Sequence, residues 1–243
     1  LGFFIVILTG TLLLMLPFAS RDGQSIGFIP ALFTASSATC VTGLVVVDTY
    51  THWTLFGQLV IITLIQIGGL GFVTIGVLFA MALNRNIDLK QRTLIRESVN
   101  SIQLGGVVKL VRKIFMGTIM FELAGAVILS IFFVPRLGLL RGIYYGVFHS
   151  ISAFCNAGFD LMGYKALYSS FTAEYDSIII NVTIMSLIVI GGIGFIVWDD
   201  ISKHGLHFKK YMLHTKIVLS TTAFLIFGGA FLFYIFERNN LMA

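Results

Sequence analysis

The chain has 243 residues, 57% of them hydrophobic and only 11% charged, with 16 Lys and Arg against 11 Asp and Glu for a formal net charge of +5. A mean hydropathy of +0.96 excludes a soluble globular domain and points to an integral membrane protein. The basic excess then reads as an orientation signal beside membrane spans, and no nucleic acid is expected as a partner.

Residues 1–19 are apolar apart from Thr9 and Thr11. At about 1.5 Å per residue they just cross a bilayer core of roughly 30 Å. Pro17 and the run Ser20-Arg21-Asp22-Gly23 end this span. Residues 29–40 predict a short helix with Pro30 in its first turn, and residues 41–46 a loop. Trp53, expected as an interface anchor, opens an apolar stretch over 53–83. As a helix this stretch would be about 45 Å long, so it should tilt or project from the membrane. Residues 84–112 carry Arg85, Lys90, Arg92, Arg96, Lys109 and Arg112 against only Asp88 and Glu97, which makes this loop cytoplasmic. Its Ile87, Leu94, Ile95, Val99 and Ile102 can form a helical stripe, suited to dock a cytosolic partner together with residues 202–210, or to lie on anionic lipid. Residues 113–134 then span outward, 144–155 form a second short helix, 156–160 a second loop, and 178–198 span back. Lys203, Lys209, Lys210 and Lys216 mark a second cytoplasmic loop around 200–213, and 217–236 begin another outward span.

The chain repeats itself. Sliding Gly43 onto Gly158, an offset of 115 (158 − 43), also superposes Phe33 on Phe148, Ser37 on Ser152, Ala38 on Ala153, Cys40 on Cys155 and Gly10 on Gly125. Gly68-Gly69-Leu70-Gly71-Phe72 matches Gly191-Gly192-Ile193-Gly194-Phe195 at an offset of 123 (191 − 68). The expected fold is therefore an all-α integral membrane protein built from repeated units of span, pore helix, filter loop and span. Residues 1–83 are the first unit, 84–112 the cytoplasmic connector, 113–200 the second unit, and 201–243 a cytoplasmic loop with the first span of an incomplete third. Two loops do not surround a pore, whereas four would, so the chain is expected to be part of a longer polypeptide.

Non-helical backbone at membrane depth has to line a cavity or be buried in protein. A ring of carbonyls can replace the water around an alkali cation, and glycine lets the backbone turn its oxygens inward. Val41, Thr42, Gly43 and Leu44, with Asn156, Ala157, Gly158 and Phe159, are accordingly the candidate filter segments. The plainer alternative is a pair of tight turns that contain glycine. Asp48 and Asp160 follow the loops and would concentrate cations at an outer mouth, or are ordinary surface carboxylates. Glu122, a carboxylate deep in a span, is either functional or hydrogen-bonded to a neighbouring helix. His149 has no partners at metal-ligand spacing and is read as structural, and Cys40 and Cys155 as small packing residues rather than a disulfide. The Gly-Gly-x-Gly-Phe segments lie inside spans without a preceding strand, so they are not dinucleotide loops; their default role is close packing, with helix bending at the pore as the functional option. No nucleophile–base pair is present, and the chain is not expected to be an enzyme, to hold a covalent cofactor, or to bind a metal beyond a filter cation.

On the two loops ending in Gly43 and Gly158, and over its whole length, the chain resembles the Trk/Ktr/HKT superfamily of cation transporters, in particular the Ktr membrane subunits. That family is similar to a potassium channel folded into one polypeptide, with four non-identical units that each give one filter quarter. Neither loop here is TVGYG; each keeps a single glycine, as the family does. The resemblance implies K⁺ as the transported ion with Na⁺ as an activator, a plasma-membrane homodimer, and a KtrA-like cytosolic nucleotide-binding regulatory ring docking on the basic loops. It also implies a gating loop in the third unit, beyond this chain. Serine at the first-unit glycine accompanies sodium permeability in relatives, so Gly43 favours potassium. A Na⁺-coupled alternating-access transporter centred on Glu122, and a non-conducting scaffold whose loops tolerate bulky residues, are the rival readings.

Overall fold

A computed structural model of the chain describes residues 2–71, 107–205 and 207–238. Among these residues all regular structure is helical, apart from one isolated bridge between Ser20 and Trp53. Two compact units are present, Leu1–Gly192 and Ile193–Ala243.

The first unit opens with α1 (Gly2–Leu14), which buries Gly10, Thr11 and Leu14 while Phe4, Leu8 and Leu12 stay exposed. An apolar residue set presented outward in this way suits lipid rather than water. The helix is shorter than the expected span because Pro17 has no N–H and its ring would clash with the carbonyl of residue 13. The chain tightens instead into a 3₁₀ turn over Pro17–Ala19. Next come α2 (Phe28–Thr39), with Pro30 in its first turn as expected, and the single turn α3 (Thr49–His52). Helix α4 (Leu55–Leu70) is capped by the Thr54 hydroxyl, which accepts the Gly57 N–H, and it ends at Gly71.

Trp53 departs from the expectation of an interface anchor. It is 1% exposed, because Gly57 one turn later leaves the indole room against α4, and its carbonyl accepts from Arg21 Nε and Gln58 Nε2.

Helix α5 (Val107–Leu137) runs beyond both ends of the expected 113–134 and takes Lys109 and Arg112 into its first turns. The rest of the basic connector, 84–106, with its apolar stripe and Arg92 and Arg96, lies outside the described residues. Helix α6 (Leu139–Phe154) begins well before the expected residue 144, directly after Gly138. The early start follows from close antiparallel packing on α5. A Cβ at Gly142 would lie 2.5 Å from the Val134 Cα, so only a missing side chain allows this approach. Segment 160–177 holds two 3₁₀ turns and is pinned by Glu174, which is 3% exposed and accepts from Arg136 at 2.8 Å and from Lys165. The unit closes with α7 (Ile178–Gly192). The expected span 178–198 is thus interrupted at Ile193-Gly194, and helix resumes only at Phe195.

The second unit contains α8 (Phe195–His204) and α9 (Leu213–Glu237). The Asp200 carboxylate ties them by accepting the Met212 N–H at 2.8 Å and facing His204 Nδ1 at 2.9 Å. Val111–Leu137 and Leu213–Glu237 are long and apolar enough to cross a bilayer, and α1, α2 and α4 are shorter apolar helices. Such helices mark an integral membrane protein.

Candidate functional site

Helices α2 and α6 end in the same way. Cys40 and Cys155 donate to the carbonyls of Ser36 and Ile151 at 2.8 and 2.9 Å, closing the last helical turn. Val41 and Asn156 then turn left-handed, at φ 50 and 59, and donate to Ala38 and Ala153. Thr42 and Ala157 reach back to Ser37 and Ser152 at 2.9 and 2.8 Å. This pair of bonds is a Schellman closure, which ordinarily uses glycine at the left-handed position. Asparagine tolerates it, whereas β-branched Val41 does so under strain.

One residue further on, Gly43 and Gly158 both adopt φ 74. The chain then returns toward its own helix, and the Ser37 and Ser152 hydroxyls donate to the carbonyls of Leu44 and Phe159 at 2.7 and 2.6 Å. Backbone path and side-chain anchor therefore recur at the offset of 115, although Leu44 is 62% exposed and Phe159 is buried.

The loops also meet. A Cβ on Gly43 would sit 2.7 Å from the Ala157 carbonyl oxygen and 3.3 Å from the Gly158 Cα, and one on Gly158 would lie 3.4 Å from the Gly43 Cα. Backbone faces backbone at this junction. The carbonyls of Val41, Thr42 and Gly43, and of Asn156, Ala157 and Gly158, accept no hydrogen bond from any described residue. Three successive carbonyls on each loop are thus without a donor among the described residues.

The helices behind the loops repeat the arrangement. A Cβ on Gly68 would strike the Thr39 carbonyl, and one on Gly191 the Phe154 carbonyl, so α4 and α7 each lie directly against the end of their own short helix. Gly10 packs on Leu64 as Gly125 packs on Leu187. Gly68, Gly69 and Gly191 of the Gly-Gly-x-Gly-Phe segments thus serve as close-packing points, as expected of their default role.

Comparison with known proteins matches residues 3–239 to the family model TrkH, described as a cation transport protein. The chain belongs to the TrkH family. It is 47% identical over 241 residues to the potassium/sodium uptake protein NtpJ of Enterococcus hirae, covering 99% of this chain and 52% of that protein. It is 45% identical over 240 residues to the Ktr system potassium uptake protein B of Bacillus subtilis, covering 99% and 52% of the two chains. The Vibrio alginolyticus protein of the same name is 40% identical over 244 residues, covering 99% and 51%. The chain spans about half the length of these curated relatives.

Other residues singled out in this TrkH-family chain are placed as follows. Asp48 is buried, caps α3 through the Thr51 N–H at 2.8 Å, and accepts the Tyr168 N–H from segment 160–177. Asp160 is half-buried and accepts the Met162 N–H at 2.8 Å. Burial pushes its carboxyl above the ordinary range and nearby Asp48 adds to this, against the lowering by Met162 and Ser170. Glu122 is buried and takes both amide hydrogen-bond contacts of Gln66 on α4, at 2.9 and 3.2 Å, which is the neighbouring-helix bond weighed from sequence.

His149 is 2% exposed. Its Nε2 accepts the Leu161 N–H at 3.0 Å, so its Nδ1 is the atom that donates to the Tyr145 carbonyl at 2.8 Å. Both cysteines are free; Cys155 is buried beside Gly69, whereas Cys40 is exposed and does not close a packed contact as its counterpart does. Among the described residues no cluster of His, Cys, Asp or Glu could hold a metal ion.

Sequence reasoning aligned Ser37 with Ser152 but assigned them nothing. It passed over Gln58, whose side chain accepts from the Tyr144 hydroxyl across the two halves of the unit. The recurrence of serine at the offset of 115 was the available signal for the first pair. No local pattern marks the second.

Proposed function

We propose that this chain supplies two filter quarters of a potassium-uptake pore in the plasma membrane, with four such loops completing the ring. Val41–Thr42–Gly43 and Asn156–Ala157–Gly158 offer backbone carbonyls to a K⁺ ion stripped of water, and the ion moves inward down a membrane potential worth about 2.3 kcal/mol per charge per 100 mV. The observation that carries this reading is the meeting of two loops of one backbone path, each with three unpartnered carbonyls. The pore-helix units repeat around an axis along the membrane normal, α2 and α6 being the pore helices. Asp48 and Asp160 stand at the outer mouth. Both basic loops lie in the cytoplasm, where a nucleotide-binding regulatory ring docks on residues 84–112 and 202–210 of a homodimer, and Na⁺ acts as an activator. Relatives bearing the names potassium/sodium uptake protein and Ktr system potassium uptake protein support K⁺ as cargo.

A side chain at Gly43 or Gly158 tests the reading. Gly43→Ser should weaken the preference for K⁺ over Na⁺, and Gly158→Asp should sharply reduce K⁺ uptake, in cells lacking other potassium systems and with membrane abundance checked in parallel. Ala38→Ser, set back in α2, should be mild. Unchanged K⁺ affinity and selectivity in both glycine variants at normal abundance would reduce the loops to turns.

A further inference from the structure

The carbonyls at the far ends of the two loops have a different fate from the three before them. We propose that Ser37 and Ser152 are positioning residues that withdraw the Leu44 and Phe159 carbonyls from the ion path, leaving each loop three carbonyls to offer. This rests on the filter reading above and narrows it, since the sequence alone offered four residues per loop.

Both serines are buried, at 4% and 3% exposure, and both bonds are short. A carbonyl has two lone pairs, so occupancy alone would not exclude an ion. The tether is what draws it away: each oxygen is held within 2.7 Å of a side chain on its own short helix, toward that helix and not toward the facing loop.

The two loops share little else at these positions. Leu44 is exposed where Phe159 is buried, and Thr42 stands where the second loop has Ala157. The serine bond recurs despite that, so it follows the backbone path and not a common packing environment. The loops also differ in how firmly the serine is held. Ser37 has one proton, given to Leu44, so at their 2.8 Å separation it is the Thr42 hydroxyl that donates to Ser37 Oγ. Ala157 provides no such support, and the second loop depends on Ser152 alone.

The test uses the complete transporter in cells lacking other potassium systems, and reads apparent KM for K⁺, maximal uptake, K⁺-over-Na⁺ preference and membrane abundance. Ser152→Ala should change KM and the K⁺ preference about fivefold, the equivalent of one net buried hydrogen bond, with Ser37→Ala affected less. Ser152→Thr, which keeps the hydroxyl, should restore both. Should the alanine variants accumulate poorly, Ser37→Cys and Ser152→Cys keep the volume with a weak donor and are read the same way. Unchanged KM and preference in the serine variants, alongside impaired Gly43→Ser and Gly158→Asp, would overturn the serine assignment and leave the filter standing. Unchanged behaviour in all of them would remove the filter, and the serine role with it.

Discussion

At Val41 the backbone is left-handed at φ 50, where a β-branched side chain is strained by about 1–2 kcal/mol. Its counterpart Asn156 occupies the same conformation with a residue that tolerates it. Val41→Asn should therefore raise stability by about 1 kcal/mol, read as an upward shift of the thermal unfolding midpoint in detergent, provided the Ser37–Thr42 backbone bond is kept. An unchanged or lower midpoint would show that the valine makes contacts worth more than the strain. Gly43 was legible in the sequence through its match to Gly158, because a glycine shared by two aligned loops is an unusual coincidence. The strain at Val41 was not, since β-branched residues argue against the conformation it adopts. Sequence allows Asp48 to be either a carboxylate at an outer mouth or an ordinary surface one, and it is buried. Its cap of α3 is a local bond from Thr51, whereas the bond it accepts from Tyr168 joins residues far along the chain, which no spacing rule reveals.

Among the helices, close approach decides what each glycine can become. Gly191 lies against the Phe154 carbonyl with no room for a methyl group, so Gly191→Ala must separate α7 from the end of α6 and should lower the yield of folded protein sharply. Gly228, in the middle of α9 with nothing within 4 Å, is the matched control. Gly228→Ala should be neutral or stabilising by about 0.5–1 kcal/mol through backbone entropy. Equal abundance of the two variants would contradict the packing assignment.

Segment 160–177 supplies a pH prediction. Burial pushes the Glu174 carboxyl up, but hydrogen bonds from Lys165 and Arg136 and their charges outweigh it, so the net direction is below the ordinary 4.5. A depressed carboxylate contributes stability above its unfolded pKa and loses it as pH falls through the folded one. Protection of this segment from proteolysis should hold at pH 7 and fall away below about pH 4.5, and Glu174→Gln should abolish that pH dependence. A wild-type segment equally protected at both pH values would contradict it. The presence of helices over the apolar runs was readable at this scale. Boundaries were less so: the α5–α6 hairpin is set by Gly142 meeting Val134, a tertiary contact that extends α6 to residue 139.

For the whole molecule, the two halves of the first unit are joined by polar contacts as well as by the loop junction. Tyr144 on α6 donates to Gln58 on α4, and Gln66 on α4 donates to Glu122 on α5. Composition, the offset of 115 and the family resemblance made the membrane class and the paired loops legible. These cross-contacts were invisible, because they join residues of unrelated position in the repeat. One of them involves Glu122, on which one of the two mechanisms that sequence left open is centred. A coupled alternating-access site would place the cation at Glu122, whereas a carbonyl filter places it at the Gly43–Gly158 junction. Anomalous scattering from Tl⁺, used in place of K⁺ in crystals of the complete transporter, distinguishes them directly. The filter account predicts Tl⁺ density in direct contact with the carbonyls of residues 41–43 and 156–158, and none against those of Leu44 and Phe159. Density at Glu122 with an empty junction would contradict it.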